Sequence, residues 1–262
     1  MKAVSPRYLL ILLAAVLAAL ALWAMRPAGG GIVLSDVTAA PISGEPGAVG
    51  IFLKIANDGG ADRLIAATSS AAQSATLASA PAVGLSIPAG SHPALAPDGA
   101  FIRLAGLDGA LDDGRTIPVT LNFEHAGALN IRARLTDPKT KGAAGQFGLF
   151  GIGDICRVGE GEPAPAIALV ATAAEDGWRI DVVAEEFTFA PDMADGPHVP
   201  GFGHGHLYLN GLKLQRLYDA SAHIGQLPPG RHEVRVTLNT NDHRAYVVDD
   251  TPVTAQAMIE VR

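Results

Sequence analysis

One cysteine, Cys156, stands in a chain of 262 residues, so no internal disulfide framework can staple this fold. Aromatics are scarce, at 5%, and no methionine occurs between Met25 and Met193. Basic residues are sparse. The first 26 residues carry three and no acid, and the remainder holds 16 against 26 acids, a balance of −10. An acidic body has no basic stripe with which to neutralise phosphates, which argues against a nucleic-acid partner and suits attraction of cations. Catalytic signatures are missing as well: there is no Gly-x-Ser-x-Gly, no His-Glu-x-x-His and no phosphate-cradling glycine loop. Glu185 and Glu186 are adjacent on an expected strand and so point to opposite faces, which keeps the two carboxylates apart. A non-enzymatic protein is expected.

What the chain does have begins at its amino terminus. Lys2 and Arg7 precede Tyr8 to Met25, eighteen residues without a charge, and Arg26-Pro27 with a glycine run closes the segment. Its length reaches what a bilayer-spanning helix needs, and Trp23 sits where an interfacial aromatic would. Residues 1–30 are read as a signal anchor that holds the protein to the inner membrane through residues 8–25. Ala19-Leu20-Ala21 offers the alternative of a cleaved signal peptide and a soluble periplasmic body. Either way the positive end stays inside and the body is exported to the periplasm or an equivalent envelope space.

That body is patterned for strands. From residue 32 to about 136 apolar residues recur with period two, as in Val49, Ile51, Leu53 and Ile55, in Ile117, Val119, Leu121 and Phe123, and in Leu129, Ile131, Ala133 and Leu135. Turn formers punctuate them at Asn57-Asp58-Gly59-Gly60, Pro97-Asp98-Gly99 and Asp112-Asp113-Gly114. Residues 137–165 break the pattern with a polar start, an apolar glycine-rich stretch from Gln146 to Cys156 expected to pack back on a domain or to rest on the membrane or a partner, and an acidic, proline-stiffened end. Period two resumes over residues 166–262, in Trp178, Ile180, Val182 and Ala184 and in Val234, Val236 and Leu238. The expected fold is all-β, with two antiparallel β-sandwich domains at 32–136 and 166–262 joined by a linker, the second Ig-like or cupredoxin-like.

The order Ile32 to Asp36, Val49 to Asn57, Ala61 to Leu64, Leu95-Ala96-Pro97-Asp98-Gly99, Leu104 to Leu107 and Thr120 to Gly127 resembles the PCu(A)C periplasmic copper chaperones. The resemblance covers residues 32–136. It implies a cupredoxin-like sandwich and a role with copper. It also implies a Cu(I) site of histidines and methionines, but the matching positions here are Ala78, Phe101 and Arg103, and the loop from Ser79 to Ile87 holds no methionine. A permanent guanidinium at 103 opposes cation binding. The first domain is therefore read as a scaffold without the chaperone's ligands, and His92 and His125 as surface residues beside turns.

Metal chemistry then has to come from the second domain, where six of the eight histidines fall between His198 and His243. In Gly201-Phe-Gly-His-Gly-His-Leu-Tyr-Leu-Asn-Gly211, strand alternation puts His204, His206 and Tyr208 on one face and Leu207 and Leu209 on the other. Two imidazoles so placed can meet one ion, and copper or zinc takes neutral imidazole. His198, His223 and His243 lie on expected loops and join the candidate set, whereas His232 is in phase with the buried Val234 and Val236 and is read as structural. The candidate metal ligands are thus His204, His206, His223, His243 and His198, with copper as Cu(I) or Cu(II) the expected ion and zinc the alternative. The expected role is copper storage, delivery or resistance, with a periplasmic protein giving or receiving the ion. The competing expectation is a metal-free module for protein–protein interaction or assembly in the cell envelope.

Overall fold

The computed structural model describes residues 31–136 and 155–262. The anchor expected at residues 8–25 and most of the linker lie outside them. Among the described residues the protein is all-β, with one 3-10 turn at Pro191–Met193 and no helix long and apolar enough to cross a membrane.

Nine strands build the first lobe: Ile32–Pro41 (β1), Val49–Asn57 (β2), Asp62–Thr68 (β3), Ser74–Ala78 (β4), Leu85–Ile87 (β5), Ala94–Leu95 (β6), Phe101–Ala105 (β7), Thr116–Phe123 (β8) and Gly127–Leu135 (β9). β7 bridges β2 and β4, and β8 bridges β3 and β9. β1 pairs antiparallel with β2 and, over Thr38 and Ala39, parallel with β9, which links the two sheets. The period-two residues do what alternation requires. Ile51, Leu53, Ile55, Ile102, Leu104, Ile117, Val119 and Leu121 bury together in the core between the sheets.

The positions where the resemblance would place metal ligands are occupied differently. Ala78 and Phe101 face each other across β4 and β7; Phe101 packs at 5.7 Å on Phe52, and Arg103 is paired with Glu45. An aromatic cluster and an ion pair fill the surface over this sheet. His92 and His125 are both exposed.

The second lobe runs Ile155–Arg157 (β10), Ala166–Ala174 (β11), Gly177–Glu185 (β12), Thr188–Phe189 (β13), Phe202–Leu209 (β14), Leu212–Leu217 (β15), Ser221–Gly225 (β16), Gly230–Thr240 (β17), Ala245–Val248 (β18), Thr251–Pro252 (β19) and Thr254–Val261 (β20). β14 is its central strand, flanked by β17 on one edge and by β13 and β15 on the other, with β20 beyond β17. The order β11-β12-β16 forms a separate three-stranded sheet, and Ile180, Val182, Leu207, Leu209, Val234 and Val236 fill the space between the sheets. The end of the apolar linker packs here: β10 pairs parallel with β18, and Cys156 is buried with Leu238, Tyr246 and Val253.

Gly31–Arg262 form one compact unit in which two turns lock the lobes together. The Pro97-Asp98-Gly99-Ala100 turn lies on the β14–β15 hairpin turn, where the Ala100 N–H donates to the Gly211 carbonyl at 2.7 Å, and Ala94 bridges Lys213 in register. Two glycines make the approach feasible. A Cβ on Gly99 would stand 2.7 Å from the Gly211 oxygen, and one on Gly211, which has φ +84°, would stand 2.3 Å from the Ser79 oxygen. Gly211→Ala should therefore destabilise the protein by at least ~1 kcal/mol more than Gly44→Ala, which has a similar φ of +78° but open space around it. Chemical denaturation of the two variants measures the difference.

Candidate metal centre

β14 is buried on both faces, which alternation alone did not imply. Leu207 and Leu209 point into the lobe's core, while His204 and His206, expected to face away from it, are also buried, at 0% and 4% exposure. What covers them is tertiary: the Asp98 turn from the first lobe, and the β17–β18 turn that carries His243. Gly203 allows β17 to lie tight against the strand here, since a Cβ on it would stand 1.9 Å from the Asn239 oxygen.

The two ring nitrogens His204 Nε2 and His206 Nε2 lie 3.0 Å apart. His243 completes a group of three whose ligating atoms all fall within 4.8 Å of one another. It reaches the site because the turn places it at φ +70°, with its N–H donating to the Thr240 carbonyl, so that its ring sits 4.8 Å from that of His204. Asp195 accepts from His243 Nε2, leaving Nδ1 as the other ring nitrogen.

A second layer fixes the tautomer of His206. Its Nδ1 is 3.0 Å from Asp98 Oδ2, and a carboxylate there requires an N–H, so Nε2 carries the lone pair that faces His204. The same carboxylate oxygen accepts from Tyr208 Oη at 3.1 Å and from Lys213 Nζ at 2.6 Å. Burial alone would raise the Asp98 carboxyl, but the His206 hydrogen bond and the Lys213 ammonium outweigh it and hold it well below the usual carboxylate range. Burial, then the neighbouring His206, His243, Arg216 and Lys213, push His204 down to about 2. Burial lowers His206 to about 4 against the opposing pull of Asp98. Both imidazoles are neutral at pH 7, the form that ligates a metal.

Four buried atoms of the residues in and around the cluster have no hydrogen-bond partner: Asp98 Oδ1, His204 Nδ1, Asn239 Oδ1 and Asn241 Oδ1. Asn239 is the register partner of His204 across β14 and β17. Orphaned buried polar atoms are costly, but an ion at the two Nε2 atoms would not reach His204 Nδ1, so it is the convergence of the three imidazoles that fits a metal ion.

The structure does not bring the other two candidate histidines here. His223 sits on β16 of the other sheet, opposite Arg179, and bonds Asp176 at 3.0 Å. His198 turns its Nε2 to Cys156 Sγ at 3.5 Å. Both are near His206 in sequence, but β16 crosses to the facing sheet and the 198 loop folds toward β10. His232 is buried as its phase implies, with Nε2 donating to the Pro228 carbonyl and Nδ1 facing the Asn210 amide. Asp98 and Lys213, by contrast, were not legible as site residues. Asp98 reads as a turn former, and its nearest partners are more than a hundred residues away.

Fold and site together define an all-β protein with a buried three-histidine cluster braced by a carboxylate from its other lobe. Residues 32–135 match the family described as "Putative lipoprotein LpqE-like". Among solved structures the chain is similar to a copper-bound PCuAC domain from PmoF2, at 25% identity and a TM-score of 0.36, over 43% of this chain and 97% of that one. It is similar also to an apo PCuAC domain from PmoF1, at 26% identity and a TM-score of 0.37, over 43% and 98%. A third is the solution structure of CuI-DR1885 from Deinococcus radiodurans, at 24% identity and a TM-score of 0.35, over 42% and 81%. No curated protein matches.

The depressed imidazoles fix a pH dependence. A histidine held neutral in the folded state contributes stability that is whole above the unfolded value of about 6.5 and is lost as pH falls toward its folded value. The metal-free protein should therefore lose stability between about pH 6.5 and 4. Denaturation midpoints across that window should show a shallower loss for His204→Gln than for the wild type.

Proposed function

We propose that the protein is an exported copper-handling protein that holds one ion at His204, His206 and His243, with residues 8–25 carrying it to the envelope. The observation that carries this reading is the 3.0 Å approach of His204 Nε2 to His206 Nε2, with Asp98 bonded to the far nitrogen of His206. Bonds of about 2 Å from each nitrogen to one ion fit that separation, and a carboxylate behind the ligand is the usual means of orienting a metal-bound imidazole. An all-imidazole set suits Cu(II) and Zn(II), and the motif resemblance of the first lobe to copper chaperones favours copper. The first lobe then serves as the brace of the site and not as its ligand source. The role is storage, delivery or resistance, without catalysis.

A second reading has a specific observation in its favour. Lys213 Nζ stands 3.5 Å from His206 Nε2, so a metal-free hydrogen-bonded network also accounts for the cluster, as in an interaction module. Titration of the purified protein with Cu(II), and with Cu(I) under reducing conditions, separates the two. Copper handling requires one ion per chain, lost in His204→Ala and His206→Ala and kept in His223→Ala and His198→Ala. Stoichiometric binding untouched by the first pair overturns the site. Asp98→Asn should weaken the metal roughly 10- to 100-fold while leaving the stoichiometry at one.

A further inference from the structure

We propose that the cleft beside the histidine cluster binds a small carboxylate anion of several carbons, which shares the metal ion with the histidines. This rests on the metal-binding reading above. The cleft measures about 510 Å³ and runs between the lobes, with His206 and His243 on its wall. In a chain of net charge −7, four cations line it, and Lys54 is paired with Asp36, Lys213 with Asp98 and Arg216 with Asp195, which leaves Arg235 as the cation without a carboxylate among the described residues. Asp98 is already engaged by Lys213, His206 and Tyr208.

Arg235 is the most telling of the four cations. It lies opposite Tyr208 in register, its guanidinium carbon is 4.1 Å from that ring's centroid, and Nη1 donates to Thr237 at 3.1 Å. Among the described residues it pairs with no carboxylate. A guanidinium seated over a ring and bonded to Thr237, with donors left over, can meet the planar, two-oxygen face of a carboxylate.

The metal site itself has a charge imbalance that such a ligand would correct. Lys213 is matched by Asp98 and Arg216 by Asp195, so an ion held by three neutral imidazoles would bring a charge that no protein group offsets. An anion entering the cleft neutralises this excess and supplies an oxygen donor for the coordination position that three histidines leave open. One carboxylate reaches the ion while a second meets Arg235, which calls for a dicarboxylate. No covalent bond forms or breaks.

Succinate, a weak metal chelator, is the probe. Calorimetric titration into the copper-loaded protein should give affinity at least tenfold tighter than into the metal-free protein, and tighter than acetate or inorganic phosphate. Arg235→Gln should weaken succinate at least tenfold without changing copper stoichiometry, and Arg235→Lys should restore part of it. Lys54→Gln, at a half-exposed side chain, should weaken succinate to a smaller degree and serves should the Arg235 variants fail to fold. Equal succinate affinity in wild type and charge variants, succinate that strips copper without a ternary complex, or phosphate binding as tightly, each overturns the proposal. If the wild type takes no copper at all, the metal reading fails. Succinate binding to the metal-free protein that Arg235→Gln weakens would then still support an anion cleft.

Discussion

The site depends on one contact between turns. Where the Pro97–Ala100 turn of the first lobe meets Gly211 of the second, a backbone hydrogen bond and two missing Cβ atoms bring the lobes close enough for Asp98 to enter the wall of β14. From there the carboxylate sets the His206 tautomer, anchors Tyr208 and holds a buried ammonium. Separate the turns and His206, Tyr208 and Lys213 lose together the carboxylate that positions them and the turn that covers them. The two lobes are thus mutually required at this point even though each has an apolar core of its own.

The strand faces were legible in the sequence because burial imposes period two. Val234, Val236, Ile51 and Leu121 fall where alternation puts them. So did the pairing of His204 with His206, since two residues on one strand two positions apart share a face whatever surrounds them. What surrounds them was not legible. The face was expected to be open, and it is closed by a turn from the other lobe and by a histidine held in a left-handed conformation at position 243. His223 misled for the converse reason. It is as near to His206 in the chain as a ligand needs to be, but β16 belongs to the facing sheet, and a local pattern carries no record of which sheet a strand joins.

The first lobe keeps a full apolar core beneath a surface that carries an aromatic pair and an ion pair. Phe101 with Phe52, and Arg103 with Glu45, cover the face where the chaperone resemblance would seat an ion, and both substitutions turn outward from a core they leave intact. The contribution of this lobe to the histidine cluster comes from the turn just before β7, next to Phe101 in the chain. The Leu95-Ala96-Pro97-Asp98-Gly99 stretch is one of the motifs that carry the resemblance, so the same segment serves both as family scaffold and as support for the second lobe.

The long chain separation within the histidine site bears on what its assembly requires. Asp98 and Lys213 are 115 positions apart, and their contact needs the turn before β7 and the start of β15 both in place. Without that arrangement the imidazoles lack the carboxylate that orients one of them. The assembled centre therefore reports that both halves of the molecule have reached their final arrangement.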